Sequence, residues 1–467
     1  MDVRLLRRLS LLLRLPTSPV PACMLRRSSS LLPDFCPGRS AIEMRYLSTD
    51  ISSFHSHEAE ASTGAHQDFS LWPGLYRSPV TAALWSIRSK IPDKVAENGC
   101  AETKLLTRTP DESRTSVLYA FSIDPILREL YRSPWNHCRI GKLLEDLDAL
   151  AGTIAMKHCA GNDGTTRPLI LVTASVDKIS LKKPIRLDTD LKLAGAVAWT
   201  GRSSMQIRMQ VIQPATDDQS EDSASLIANF TFVARDAKTR RAAPVNPLVP
   251  QSDEEKELFL KGQEEDSRRK QEKMQNEALH SKEVQQKDER LRNLLAEGRI
   301  LIDMPALANR YSVLMQDTKL ENALICQPQQ RNLHGRIFGG FLMRRAFELA
   351  FSTCYVFGGQ RPIFLEVDHV DFHRPVDVGN LLRFKSCVLY TETENIQKPL
   401  MHVEVAAFVT QPESRFSELS NTFHFTFTLD PEKIRAENIT ICRVLPATEE
   451  EAHRQLARFN ADHWSVK

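Results

Sequence analysis

Asn332, His334, Gly339 and Gly340 fall within one short stretch, Asn332-Leu333-His334-Gly335-Arg336-Ile337-Phe338-Gly339-Gly340-Phe341-Leu342-Met343. It reads as a loop that tightens into a Gly-Gly turn and opens an apolar helix, which continues through Ala346, Leu349, Ala350 and Phe351 at three- and four-residue spacing. Two glycines at a helix entrance let another backbone or a ligand approach closely. The first N–H groups of a helix have no partner inside it, so they can face a polarised oxygen. Asn332 and His334 stand just upstream, within reach of the same spot. The same residues also fit a glycine-lined turn before a core helix. A base for this chemistry would be a carboxylate held against apolar surroundings, and Asp148 is such a residue. It lies one position beyond the stripe Leu143, Leu144, Leu147, Leu150, Ala151 and Ile154. A carboxylate at the edge of a buried stripe is costly unless it has partners. Its neighbours Glu145 and Asp146 read as solvated.

That stripe predicts a helix over 142–156 with one buried face. It follows Trp135-Asn136-His137-Cys138-Arg139-Ile140-Gly141 and a strand over 117–121. Apolar runs of period two come next, from Leu169 to Leu181, Leu191 to Trp199, Met205 to Ile212 and Leu226 to Ala234. One helix followed by a meander of long strands is an α+β pattern, with the sheet wrapped on the helix.

The remaining segments set the boundaries. Residues 1–47 carry eight arginines, many serines and only Asp2, Asp34 and Glu43 as acids, the composition of an organelle presequence. Arg45-Tyr46-Leu47-Ser48 resembles a mitochondrial processing site, and a chloroplast address fits the same composition. Residues 48–113 read as an N-terminal extension, 114–250 as a first domain, and 251–305 as a charged, solvated helical connector with i,i+4 pairs. Residues 306–435 form a second domain and 436–467 a polar helical tail. The net charge of +2 offers no broad field for nucleic acid. No run reaches the roughly 18 apolar residues of a membrane span. The nine cysteines show no CxxC pair and read as thiols in a reducing compartment, with no metal site.

The second domain repeats the first. Val176-Asp177-Lys178-Ile179 through Pro184 matches Val367-Asp368-His369-Val370 through Pro375 with a constant offset of 191 residues. Met205-Gln206-Ile207 echoes Met401-His402-Val403, and Phe230-Thr231-Phe232 echoes Phe425-Thr426-Phe427. Two copies of one fold are expected, packed as a pseudo-twofold pair with their strand edges joined into one sheet.

A glycine-opened helix wrapped by long strands, present twice, resembles the double-hotdog acyl-CoA thioesterases, and is most similar to their mitochondrial branch. The strings Cys326-Gln327-Pro328-Gln329-Gln330-Arg331-Asn332 through Arg344 and Arg139-Ile140-Gly141 through Gly152 carry the likeness, which covers roughly residues 70–440. The resemblance implies hydrolysis of fatty acyl-CoA to free acid and coenzyme A without a cofactor, at a site shared between two hotdog domains. Asp148, seven residues after Gly141, occupies the family position of the acid; seven after Gly340 stands Phe347. One composite site is therefore expected, with Asp148 as general base, Asn332 orienting water or carbonyl, Gly340 N–H polarising the oxygen and His334 assisting. Asn136 with Glu348 would make a weak or dead second site. Arg331, Arg336, Arg344 and Lys142 are candidates for the coenzyme A phosphates. A non-catalytic acyl-CoA-binding protein and an enoyl-thioester hydratase remain as alternatives. A homo-oligomer is also implied.

Overall fold

The computed structural model describes residues 78–80, 105–161, 169–214, 223–278, 284–332, 335–368, 370–393, 398–437 and 439–464, all within one compact unit, His66–Lys467. The expected presequence, most of the extension, and His334 lie outside the described residues.

The first half contains α1 (Pro110–Ser113), β1 (Thr115–Tyr119), α2 (Pro125–Tyr131), α3 (Ile140–Cys159), β2 (Leu169–Val176), β3 (Ile179–Leu181), β4 (Leu191–Thr200), β5 (Ser204–Gln213) and β6 (Ser223–Asp236). Two helices, α4 (Asp253–Ala278) and α5 (Val284–Asp303), lead to the second half. That half contains β7 (Ser312–Leu314), β8 (Leu320–Ile325), α6 (Gly339–Gly358), β9 (Ile363–Val367), β10 (Val370–Asp371), β11 (Leu381–Glu392), β12 (Leu400–Gln411) and β13 (Phe416–Thr428). α7 (Pro431–Glu437), β14 (Arg443–Leu445) and α8 (Glu449–Trp464) close the chain. The run read as one strand from Leu169 to Leu181 is two strands, broken at Asp177-Lys178. Among the described residues no helix is long and apolar enough to cross a membrane.

Each half wraps an antiparallel sheet around its own 20-residue helix, α3 or α6. Leu143, Leu144, Leu147, Leu150, Ala151 and Ile154 are all fully buried, so the stripe on α3 is core at every position. Among the described residues the two sheets join into one of twelve strands, β1-β4-β5-β6-β3-β9-β13-β12-β11-β8, with β2 between β6 and β10. At the junction Val176 pairs with Val370 and Ile179 with Val367. Moving every position by the 191-residue offset of the repeat exchanges these two pairs. The same shift carries the irregularity after Thr173 in the β2–β6 ladder onto the one after Phe364 in the β9–β13 ladder. The pair of hotdogs is therefore related by a pseudo-twofold axis through this junction.

α4 is exposed along most of its described length, as expected from its charge, but one face of it packs on the sheet. Gly262 packs so closely that a Cβ there would lie 2.6 Å from Trp199 Cβ and 2.8 Å from Gln206 Oε1. Gln206, between the core residues Met205 and Ile207, points to the sheet face opposite α3. Arg269 of α4 pairs with Asp177, and in the second half Arg458 of α8 pairs with Asp368. The repeated Val-Asp pairs thus hold a helix on the outer face of each sheet. The polar tail is likewise packed, with β14 parallel to β7 and Arg454 on the buried Glu404.

Candidate active site

α3 and α6 meet along the seam between the halves, each presenting its glycine-containing first turn to the second turn of the other. A Cβ on Gly141 would lie 3.0 Å from Phe347 Cδ1, and one on Gly340 2.9 Å from Glu145 O and 3.0 Å from Asp148 Cβ. Position 148 therefore serves the far helix and not its own, as a carboxylate about 10 Å down a helix axis must. At Gly340 the glycine is required because the Glu145 backbone oxygen lies against it, whereas Gly141 faces the Phe347 ring.

Asp148 is fully buried. Its Oδ2 accepts the Gly340 N–H at 2.6 Å, and its Oδ1 accepts the Thr173 hydroxyl from β2 at 2.9 Å. Burial pushes the carboxyl up to about 6, and the charge of Glu145 adds to that; the two hydrogen bonds pull the other way. The result is a carboxylate poised to take a proton near neutral pH, anchored on the positive end of a helix. Gly339 is half-buried beside the carboxylate: a Cβ there would come within 3.2 Å of Asp148 Oδ2 and 3.3 Å of the Phe372 ring. As the first residue of α6, its N–H has no acceptor within the helix.

Gly340 N–H is thus committed to the carboxylate instead of pointing at a substrate oxygen, as the sequence suggested. Asn332 lies in the loop that leads into α6, where its Oδ1 accepts the Arg336 N–H at 3.1 Å. Arg331 and Arg336 flank that loop and are both exposed, with Arg336 Nε 3.6 Å from Asp377. Lys142 and Arg344 lie at the other end of the seam. Lys142 Nζ sits 5.1 Å from the centre of the Tyr131 ring. Arg344 pairs with Glu145 across the seam at 3.0 Å and with Glu348 at 3.1 Å. The four cations proposed for phosphate recognition therefore divide between two places.

The second site is not assembled. The Phe347 ring meets Phe364 edge-on at 5.3 Å, Phe425 at 5.8 Å and Phe427 at 5.9 Å. Glu348 is held by Arg139, Arg344 and Arg345 at 3.5, 3.1 and 2.9 Å. Asn136 is an exposed turn residue with φ of 61°, a conformation that asparagine adopts readily. Asp146, read as solvated, is only 3% exposed, accepts the Tyr131 hydroxyl, and is also pushed up to about 6 by burial.

Sequence reasoning missed Thr173 and Phe372, and it gave the oxygen-polarising N–H to Gly340 where Gly339 is the glycine whose N–H stays free of the carboxylate. A signal for Thr173 was present in the repeat: the offset of 191 carries it onto Phe364, as counting seven residues from each helix-opening glycine carries Asp148 onto Phe347. The polar pair of one half is thus an aromatic pair in the other.

Residues 141–217, which include both Asp148 and Thr173, match the Thioesterase superfamily. The chain is 57% identical over 408 residues to acyl-coenzyme A thioesterase 2, chloroplastic, of Humulus lupulus, covering 86% of this chain and 93% of that one. It is 57% identical over 420 residues to acyl-coenzyme A thioesterase 4, mitochondrial, of the same plant, covering 88% and 79%. Acyl-coenzyme A thioesterase 9, mitochondrial, of Homo sapiens is 38% identical over 329 residues, covering 70% and 73%. With a likeness that spans both halves and so much of each relative, the chain belongs to the acyl-coenzyme A thioesterase family of hotdog hydrolases.

Proposed function

We propose that the chain hydrolyses fatty acyl-CoA to a free fatty acid and coenzyme A at one composite site on the seam. The observation that supports this most is the hydrogen bond from Gly340 N–H of one half to the buried Asp148 carboxylate of the other. Asp148 takes a proton from water as the water oxygen attacks the thioester carbonyl carbon. Negative charge then grows on the carbonyl oxygen, where the Gly339 N–H and the α6 N-terminus stabilise it. Collapse breaks the C–S bond, and the proton held by Asp148 passes to the departing thiolate, which restores the base. Thr173 fixes the carboxylate orientation. Asn332 orients the water or carbonyl, with help from His334, and no metal or prosthetic group is needed.

Arg331 and Arg336, beside the loop that leads to Gly339, are placed to take coenzyme A phosphates at the live end; Lys142 and Arg344 belong to the other end. The mitochondrial and chloroplastic names of the relatives agree with an organelle address in residues 1–47, and we assign it to mitochondria. The chain is proposed to assemble as a homo-oligomer.

The deciding experiment is hydrolysis of an acyl-CoA panel by wild type and Asp148→Asn. Loss of turnover with acyl-CoA binding retained supports the assignment. Full activity in the variant would remove Asp148 as the base, and binding without turnover in the wild type would make the chain a carrier.

A further inference from the structure

We infer that Arg344 is a positioning residue for the base, acting on Asp148 through Glu145, and not a ligand of coenzyme A. The inference rests on Asp148 being the base. The first turns of α6 offer α3 two ties. Gly340 N–H holds Asp148, and four residues later the Arg344 guanidinium holds Glu145 at 3.0 Å. Glu145 and Asp148 are three residues apart on α3 and lie on one face of it. The backbone oxygen of Glu145 is itself the closest neighbour of Gly340 across the seam apart from the Phe338 ring, at 2.9 Å from a built Cβ. The two bonds form a two-point clamp that sets the register of the base against the helix terminus.

The clamp matters most during the reaction. As a thioester oxygen enters beside Gly339 and Asp148 takes a proton, the bond to Gly340 N–H weakens, because a protonated carboxyl is a poorer acceptor. The ion pair at Glu145 does not depend on that proton, so it keeps α3 in place. Arg344 is one quarter exposed and already engaged by Glu145 and Glu348, which leaves it poorly suited to a phosphate. Arg139 to Glu348 adds a second cross-seam tie in the opposite sense.

The charges facing Asp148 are few. Its own helix contributes Glu145, β2 contributes the neutral Thr173, and α6 contributes the Gly340 N–H. Neutralising Glu145 with Arg344 therefore limits how far the base is pushed up.

The test compares pH profiles of kcat/KM, kcat, KM and coenzyme A product inhibition for Arg344→Gln, Glu145→Gln and the double variant, with thermal midpoints recorded for each. Arg344→Gln exposes Asp148 to the bare Glu145 charge, so the acid limb moves up by about half a pH unit. kcat falls by about tenfold through lost register, and KM and product inhibition stay put. Glu145→Gln moves the limb down. The double variant follows Glu145→Gln, because Arg344 then has nothing to act through. Raised KM with weaker product inhibition and an unmoved limb would make Arg344 a phosphate ligand instead. Equal shifts of the limb with and without Glu145 would make its action direct, and either result overturns the inference. Arg344→Lys, which keeps the charge, returns the limb to its wild-type place if Gln at 344 impairs folding. Failure of Asp148→Asn to reduce turnover would instead sink the reading beneath.

Discussion

In the proposed mechanism Asp148 concentrates the chemistry in one side chain whose two oxygens are already spoken for. Replacing it by Asn keeps the shape and removes the base, so kcat falls by ~100-fold or more in a steady-state acyl-CoA assay. The base works only when ionised, and its carboxyl sits at about 6. The rate therefore rises with pH through that value and levels above it. Thr173→Val removes a hydrogen bond that lowers the carboxyl, so the acid limb moves upward and the rate at pH 7 drops. Stability carries the opposite sign. The folded protein holds the Asp148 proton up to about 6, while an unfolded aspartate releases it near 3.8. Stability is thus full below the unfolded value and lost as pH rises through about 6, by an amount on the order of 3 kcal/mol. Asp146, raised by the same cause, shares that window. Asp148→Asn is consequently more stable than wild type at pH 7.5 and equal to it near pH 4, a difference readable from thermal midpoints across pH. If the variant melts below wild type at pH 7.5, the buried carboxylate is not a cost to the fold. Asp148 was legible because it is an acid at the edge of an apolar stripe, seven residues after the helix-opening Gly141. The burial of Asp146 was not, because its partner Tyr131 comes from a separate helix fifteen residues upstream.

The helix is the scale at which the two glycines differ. Both α3 and α6 open with a glycine in the first turn, and the sequence showed both. What it did not show is what each glycine touches. At Gly340 a methyl group would press on the Glu145 carbonyl and on the Cβ of the base, neither of which can swing aside. At Gly141 it would press on Cδ1 of the Phe347 ring, with the Arg344 backbone oxygen farther off at 3.5 Å. Gly340→Ala should therefore spread the seam, costing about 1–3 kcal/mol and most of the activity. Gly141→Ala should cost clearly less of both, since a ring can tilt. Denaturant midpoints and kcat for the pair check this, and an equal effect at the two positions would show that the helices meet differently. The strands were legible as period-two runs, but the irregularity after Thr173 was not. That irregularity sets which residues of β2 face the helix, and Leu169–Val176, whose only polar residues are Thr173 and Ser175, does not announce it.

Across the whole molecule the repeat was the most legible feature, because the internal spacing of the Val-Asp to Pro motif survives the divergence of individual side chains. The axis that relates the halves followed from it. Outer helices held by Arg269 and Arg458 did not, since an arginine that clamps a sheet and one that is merely solvated look alike in a charged run. The same comparison of halves shows how one site came to differ from its twin. Asp148 and Thr173 in one half correspond to Phe347 and Phe364 in the other, so the far end of the seam has a hydrocarbon plug where the near end has a buried carboxylate. Filling by four phenylalanine rings leaves no acid there to activate water, and Glu348, the nearest carboxylate along the helix, is neutralised by three arginines. One catalytic site per chain is therefore expected, however many chains assemble. Calorimetric titration of the full chain with a non-hydrolysable acyl-CoA thioether should saturate at one equivalent per chain. Phe347→Ala should empty part of the plug, lowering stability by about 3–5 kcal/mol without adding turnover in an Asp148→Asn background. Two equivalents in the titration, or hydrolysis that returns in that double variant, would show that the far end of the seam still works.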